Sequence, residues 1–89
     1  MKPASFSVSG KRISAVLHAV STTGGLVRMA GALPPGTLAE LAVFTSLGQV
    51  RGLVEFFPPT KGNPTQAFRF IAFSDEDYER LSSSILAGS

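Results

Sequence analysis

The segment Ala67-Phe68-Arg69-Phe70-Ile71-Ala72-Phe73 is apolar on both faces of any strand it forms. Side chains alternate across a strand, so Phe68 and Phe70 fall on one side and Ile71 and Phe73 on the other. Such a strand has to be covered twice. The residues that follow supply a cover. Ser74 is a favourable N-cap. Asp75, Glu76 and Asp77 then occupy a first helical turn, where the helix dipole favours negative charge. Tyr78, Leu81 and Ile85 recur at i, i+3 and i+7, which makes one apolar stripe. The spacing predicts a helix over about 75–86 that docks on the sheet, with Gly88 as its stop.

Upstream, the chain is a series of short strand-like runs cut by turn formers. Phe6 and Val8 alternate with Ser5, Ser7 and Ser9, predicting a half-buried strand at about 5–9. Ser9-Gly10-Lys11 reads as a hairpin turn. A run rich in Val, Ile and Leu gives a second strand at about 12–20, and Leu26-Val27-Arg28-Met29 lies in a third at about 25–29. Pro34 and Pro35 lack two backbone donors and fix φ twice, so Gly31–Thr37 is a loop that returns Leu33 over the end of the fold. Strands at about 38–45 and 49–57 follow, the first in a segment whose Ala and Leu content also suits a helix. Pro58 and Pro59 stop the second, Lys61-Gly62-Asn63-Pro64 is a polar loop, and the last strand spans about 66–73. Six short strands with tight antiparallel connections and one C-terminal helix predict an all-β fold closed into a barrel, which removes the exposed edges.

A chain of 89 residues is one domain long, and at that size it buries roughly 60–65% of its unfolded surface. Its 44% hydrophobic and 16% charged residues are those of a folded chain, not a disordered one. The absence of cysteine excludes disulfides, zinc–thiolate sites and a thiol nucleophile. No apolar run reaches the roughly 20 residues that span a bilayer, and the N-terminus has no signal-like stretch. A cytoplasmic protein without membrane insertion is the expectation. The net charge of +2 comes from scattered cations. Nucleic-acid grooves cluster them among stacking aromatics, so neither DNA nor RNA is an expected partner.

The stretch Leu17-His18-Ala19-Val20-Ser21-Thr22-Thr23-Gly24-Gly25-Leu26 carries an apolar strand through a polar turn into the next strand. Ala19-Val20-Ser21-Thr22-Thr23-Gly24 resembles the second motif of the PilZ family, Asp/Asn-x-Ser-x-x-Gly, at every position but the first. Leu33-Pro34-Pro35-Gly36-Thr37 is similar to the loop before that family's middle strands. The segment from Ala67 to Asp77 is similar to its closing strand and helix start. The likeness runs from about Ser5 to Ile85. It implies a six-stranded antiparallel PilZ-like barrel with a C-terminal helix, in a family of bacterial cyclic di-GMP receptor domains.

The resemblance implies a two-part ligand site, and the sequence departs from both parts. An Arg-x-x-x-Arg arm grips the ligand in the family, because guanidinium forks match phosphate and the O6/N7 edge of guanine. No Arg-x-x-x-Arg occurs here; Phe6 already begins the first strand and Lys2 is the only cation ahead of it. Ala19 stands where a carboxylate or amide would accept from guanine. Ser21, Gly24 and Gly25 remain as a remnant ligand-binding set, and His18, Arg28, Arg51 and Arg69 are secondary candidates. Losing two arginine contacts and the acceptor removes about 4.5–9 kcal/mol, taking 1.5–3 for each charged hydrogen bond. Micromolar binding amounts to only about 8 kcal/mol. No cofactor is therefore expected, and cyclic di-GMP is expected to bind weakly or not at all.

Each candidate also has a plain structural role. Ser21 caps the turn and Gly24 adopts positive φ there. His18 is a strand residue without a nearby carboxylate, and a Ser21–His18 dyad lacks an orienting acid and an oxyanion hole. Asp75, Glu76, Asp77 and Glu79 are helix-start acids and do not form a metal site. The seven Phe exceed what a small barrel holds, which leaves one or two for a partner. With no nucleophile, base and orienter set, the chain is not expected to be an enzyme. The resemblance implies an adaptor for another protein of a cyclic di-GMP, type IV pilus or motility pathway. The alternative is a receptor whose missing arginines come from a partner or another site.

Overall fold

Ser9 and Gly10 both have positive φ, 50° and 82°, and this pair sets the first hairpin. Positive φ at both central residues makes a type I′ turn, whose twist matches that of the strands it joins. The hairpin links β1 (Lys2–Val8) to β2 (Lys11–Val20), with Ser5 opposite Ser14 and Val8 opposite Lys11. The computed structural model describes residues 2–86. It continues with β3 (Gly24–Arg28), β4 (Leu38–Thr45), β5 (Gly48–Phe56), β6 (Thr65–Ala72) and the helix α1 (Asp75–Leu86). The predicted stop at Gly88 lies outside the described residues.

All the pairings are antiparallel, and the strands close in the order β1-β2-β3-β6-β5-β4. The protein is thus the predicted six-stranded barrel with one C-terminal helix. β4, whose composition also suited a helix, is a full strand because β1 and β5 both pair with it. Ladder partners rather than local pattern decide the strand ends. β1 begins at Lys2, not near Ser5, because the long β2 continues to pair with it as far as Lys2–Leu17.

The barrel interior follows the alternation of the sequence. Phe6, Leu17, Val27, Leu41, Val50, Val54, Phe56 and Phe68 are buried in one core. Phe6 meets Phe56 and Phe68 edge-on, with ring centroids 5.0 and 5.9 Å apart, a favoured aromatic geometry. Phe68 contacts Phe70, Phe70 stacks on Phe73 at 4.7 Å, and Phe73 meets Tyr78. This aromatic series leads from the core to α1. Gly52 makes room for it, since a Cβ there would lie 2.9 Å from the Phe70 ring.

The second cover expected over β6 takes a different form. Ile71 stays 46% exposed on the outer wall. Phe73 lies past the strand end and turns inward against the core. A register shift at Leu53/Val54 in the β5–β6 ladder accompanies this change. The packed face of α1 also differs from the predicted Tyr78, Leu81 and Ile85. Leu81 and Ser84 are buried and Tyr78 and Ile85 are exposed. The rotation follows from two polar ties. Asp77 Oδ1 accepts from the Arg51 backbone N–H at 3.2 Å, and Arg80 Nη1 donates to the Gln49 carbonyl at 2.8 Å. Arg51 lies beyond the end of the β5–β6 ladder, where a backbone donor needs another partner. Ser74 caps α1 as predicted, accepting from the Asp77 N–H at 3.0 Å and donating to its carboxylate at 2.7 Å.

At the opposite end, Pro34-Pro35-Gly36-Thr37 forms a turn closed by the Thr37 N–H on the Pro34 carbonyl at 3.2 Å. Gly36 has φ +80°, so Pro35 and Gly36 fill the central positions of a type II turn. Leu33 packs against the core, as the loop predicted. Among the described residues, no helix is long and apolar enough to cross a membrane.

Candidate functional site

The corner between β2 and β3 begins with a bulge. The ladder pairs Leu17 with Val27 and then Ala19 with Leu26, which leaves His18 as the extra residue. The bulge puts His18 and Ala19 side by side on the exposed wall. The Ala19 methyl offers nothing to a polar ligand.

The turn beyond is bonded to itself. The Ser21 N–H donates to the Gly24 carbonyl at 2.8 Å. The Ser21 hydroxyl accepts from the Thr23 N–H at 3.2 Å, lies 3.0 Å from the Thr23 hydroxyl and donates to the Gly24 carbonyl at 3.3 Å. The Thr23 carbonyl accepts from the Phe70 N–H at 2.9 Å, which fixes the turn to the end of β6. The hydroxyl is thus the turn's own cap.

Gly24 and Gly25 serve a purpose other than the expected one. Neither has positive φ, which among the described glycines is found at Gly10, Gly36, Gly48 and Gly62. Both sit in β3 with extended pairing, Gly24 to Arg69 and Gly25 to Phe68. They are glycines because of close approach. A Cβ on Gly24 would fall on the Phe68 carbonyl oxygen, and one on Gly25 on the Ala19 carbonyl oxygen and the Phe68 ring. The motif spacing was legible in the sequence, but the reason for its glycines was not. For Gly24 that reason lies on β6, which pairs from more than forty positions downstream, and for Gly25 it lies on the Ala19 carbonyl of β2 and on β6 together.

Beside the corner is an open hollow of 520 Å³, lined by Ala19, Ser21, Gly24, Leu26, Phe57 and Arg69 among others. The structure therefore brings the three remnant residues together with one of the four secondary candidates. Arg69 Nη2 lies 2.7 Å from Glu55 Oε1, and its Nε donates to the same oxygen at 2.8 Å. Its side chain is 57% exposed. The other candidates lie apart from the hollow. Arg28 borders a separate depression with Ser14, Val16 and Pro64, Arg51 lies on the wall made by β1, β4 and β5, and His18 is on the bulge.

Composition concealed one feature of this side of the barrel. Leu26, Leu38, Leu53, Phe57 and Ile71 are all more than a third exposed. They sit on β3, β4, β5 and β6 or at a strand end, around the Glu55–Arg69 pair. Outward positions in single strands can be found from alternation. That they form one face follows only from the strand order.

No protein-family model matches the chain, and no curated protein matches it.

Proposed function

We propose that the chain is a protein-binding module of PilZ type, acting as an adaptor in cyclic di-GMP-linked control of motility or type IV pili. The observation that carries the protein-binding part is the exposed apolar face of Leu26, Leu38, Leu53, Phe57 and Ile71 around one ion pair. Contiguous apolar surface with polar groups among it marks interaction sites. The pathway rests on the resemblance of the corner and the closing strand to that family.

The corner supports little nucleotide affinity. Its hydroxyl is used by the turn, its acceptor position is Ala19, and its one arginine is paired with Glu55. The second reading is a cyclic di-GMP receptor completed by arginines from a partner. It is favoured by the 520 Å³ hollow that the turn and Arg69 still line.

Pull-down with the purified chain, with and without cyclic di-GMP, separates the two. The adaptor captures a defined partner without nucleotide and loses it when Leu26 and Phe57 are changed to Glu. Capture that requires nucleotide, or low-micromolar calorimetric affinity of the chain alone, supports the receptor instead.

A further inference from the structure

A second recessed surface lies across the barrel from the corner. In the closed order, the β1–β4 junction is diametrically opposite the β3–β6 junction. The outer wall over β1 and β4 has a groove of 470 Å³. Its floor is made mostly of small outward side chains, Ser5 beside Ala42 and Ser7, with Glu40 next to Ser7 as the one long side chain among them. The absence of bulk there is what makes the wall recessed. Arg12 on β2, paired with Ser7 of β1, borders one side, and Arg51 on β5, paired with Ala42 of β4, borders the other. Phe44, the most exposed aromatic ring of the core strands at 71%, borders one end beside Pro3.

The charges of this groove are unmatched. Among the described residues, neither the Arg12 nor the Arg51 guanidinium is within ion-pair distance of a carboxylate. Glu40 lies between them without closing on either. Asp77 accepts from the Arg51 backbone N–H, and its carboxylate is bonded to Arg80 and not to the Arg51 side chain. This holds the strand beneath Arg51 while leaving its side chain free. Two free guanidinium forks with an aromatic ring at one end are a common composition of binding hot spots.

We propose that this groove docks an acidic segment of a protein partner, with carboxylates on Arg12 and Arg51 and an apolar side chain on Phe44. The proposal rests on the protein-binding reading above and adds a second surface to it. Charge complementarity selects acidic residues. The closed barrel offers no free strand edge, so recognition proceeds through side chains and not by strand addition. Arg12 and Arg51 stand three inter-strand steps apart and two residues out of register, since the row of Arg12 runs through Ser7 and Glu40 to Leu53, which is about 16 Å along the sheet. An extended chain covers that distance in about five residues. The expected motif therefore has two acidic residues about five positions apart and an apolar residue beside one of them. Glu40 repels acids placed directly over it, which fixes their position at the two ends.

The test is a selection of displayed random 12-residue peptides on the full chain, followed by affinity measurement and residue-resolved NMR shifts for the enriched sequences. The expected result is an acidic pair at that spacing, with shifts at Ser5, Ser7, Ala42 and Phe44. Arg12→Glu with Arg51→Glu lowers affinity at least tenfold, Arg12→Gln with Arg51→Gln lowers it less, and Glu40→Gln raises it. Retained amide spectra show that each variant is folded. The proposal is overturned if no peptide is enriched, if the enriched peptides survive the double reversal, or if they shift Leu26 and Phe57 instead. That last result leaves the adaptor reading standing on the other face. Inorganic pyrophosphate binding the groove as tightly as the best peptide also overturns it, in favour of a small-anion site.

Discussion

The Gln66 side-chain amide grips the Leu33 backbone with two hydrogen bonds. Oε1 accepts from the Leu33 N–H at 2.9 Å and Nε2 donates to the Leu33 carbonyl at 2.8 Å. Nε2 also donates to the Phe57 carbonyl at 2.9 Å. Gln66 is 4% exposed, so three backbone groups of two different connections depend on one buried amide. The proline-rich loop closes its end of the barrel through this residue. Gln66→Leu is expected to destabilise by about 2–4 kcal/mol, since each unsatisfied group costs about 1–3 and some regain water. Urea denaturation measures this, and an unchanged midpoint would remove the clamp from the account of the fold.

The glycines of the corner make a contrasting set. Gly24→Ala and Gly25→Ala place a methyl on backbone carbonyl oxygens, and each is expected to destabilise by about 3 kcal/mol or to prevent folding. Gly31 has open space around its Cβ position and no positive φ. Gly31→Ala is expected to be neutral or to stabilise by about 0.5 kcal/mol through the unfolded chain. Thermal melts of the three variants check the order.

The rotated face of α1 has its own signature. Leu81 belongs to the core, whereas Tyr78 is 46% exposed with one edge on Phe73. Leu81→Ala is expected to cost about 2–4 kcal/mol, and Tyr78→Ala about 1 or less. Equal losses in denaturation would restore the symmetrical stripe that the sequence alone suggests.

The Glu55–Arg69 bridge is short but exposed. Arg69→Gln is expected to change stability by under about 1 kcal/mol, because solvent screens exposed pairs. A double-mutant cycle with Glu55→Gln gives the coupling directly. A coupling above about 2 kcal/mol would make the pair a structural element of the β5–β6 wall and not a feature of its surface.

Much of the architecture was legible because alternation, turn chemistry and capping are local. Ser9-Gly10, Pro35-Gly36 and Ser74 acted where they stood. Period two puts Arg51, Leu53 and Glu55 on one face of β5, and burial of Val50, Val54 and Phe56 on the other makes it the outer face. The helix face was misjudged at Tyr78 and Ile85 because apolar spacing takes no account of polar ties. Asp77 and Arg80 turn the helix by bonding backbone groups of β5 that the sequence does not place beside them.

The candidate site divides in the same way. The sequence by itself determined a six-stranded barrel with a capped helix, and a corner without its acceptor, since these depend on residue type and near neighbours. Only the tertiary structure decided why Gly24 and Gly25 are glycines, that Arg69 is paired with Glu55, and that Arg12 and Arg51 flank one groove. Each of these joins residues on different strands. Strand order and register set them, and those are fixed by the closure of the whole barrel.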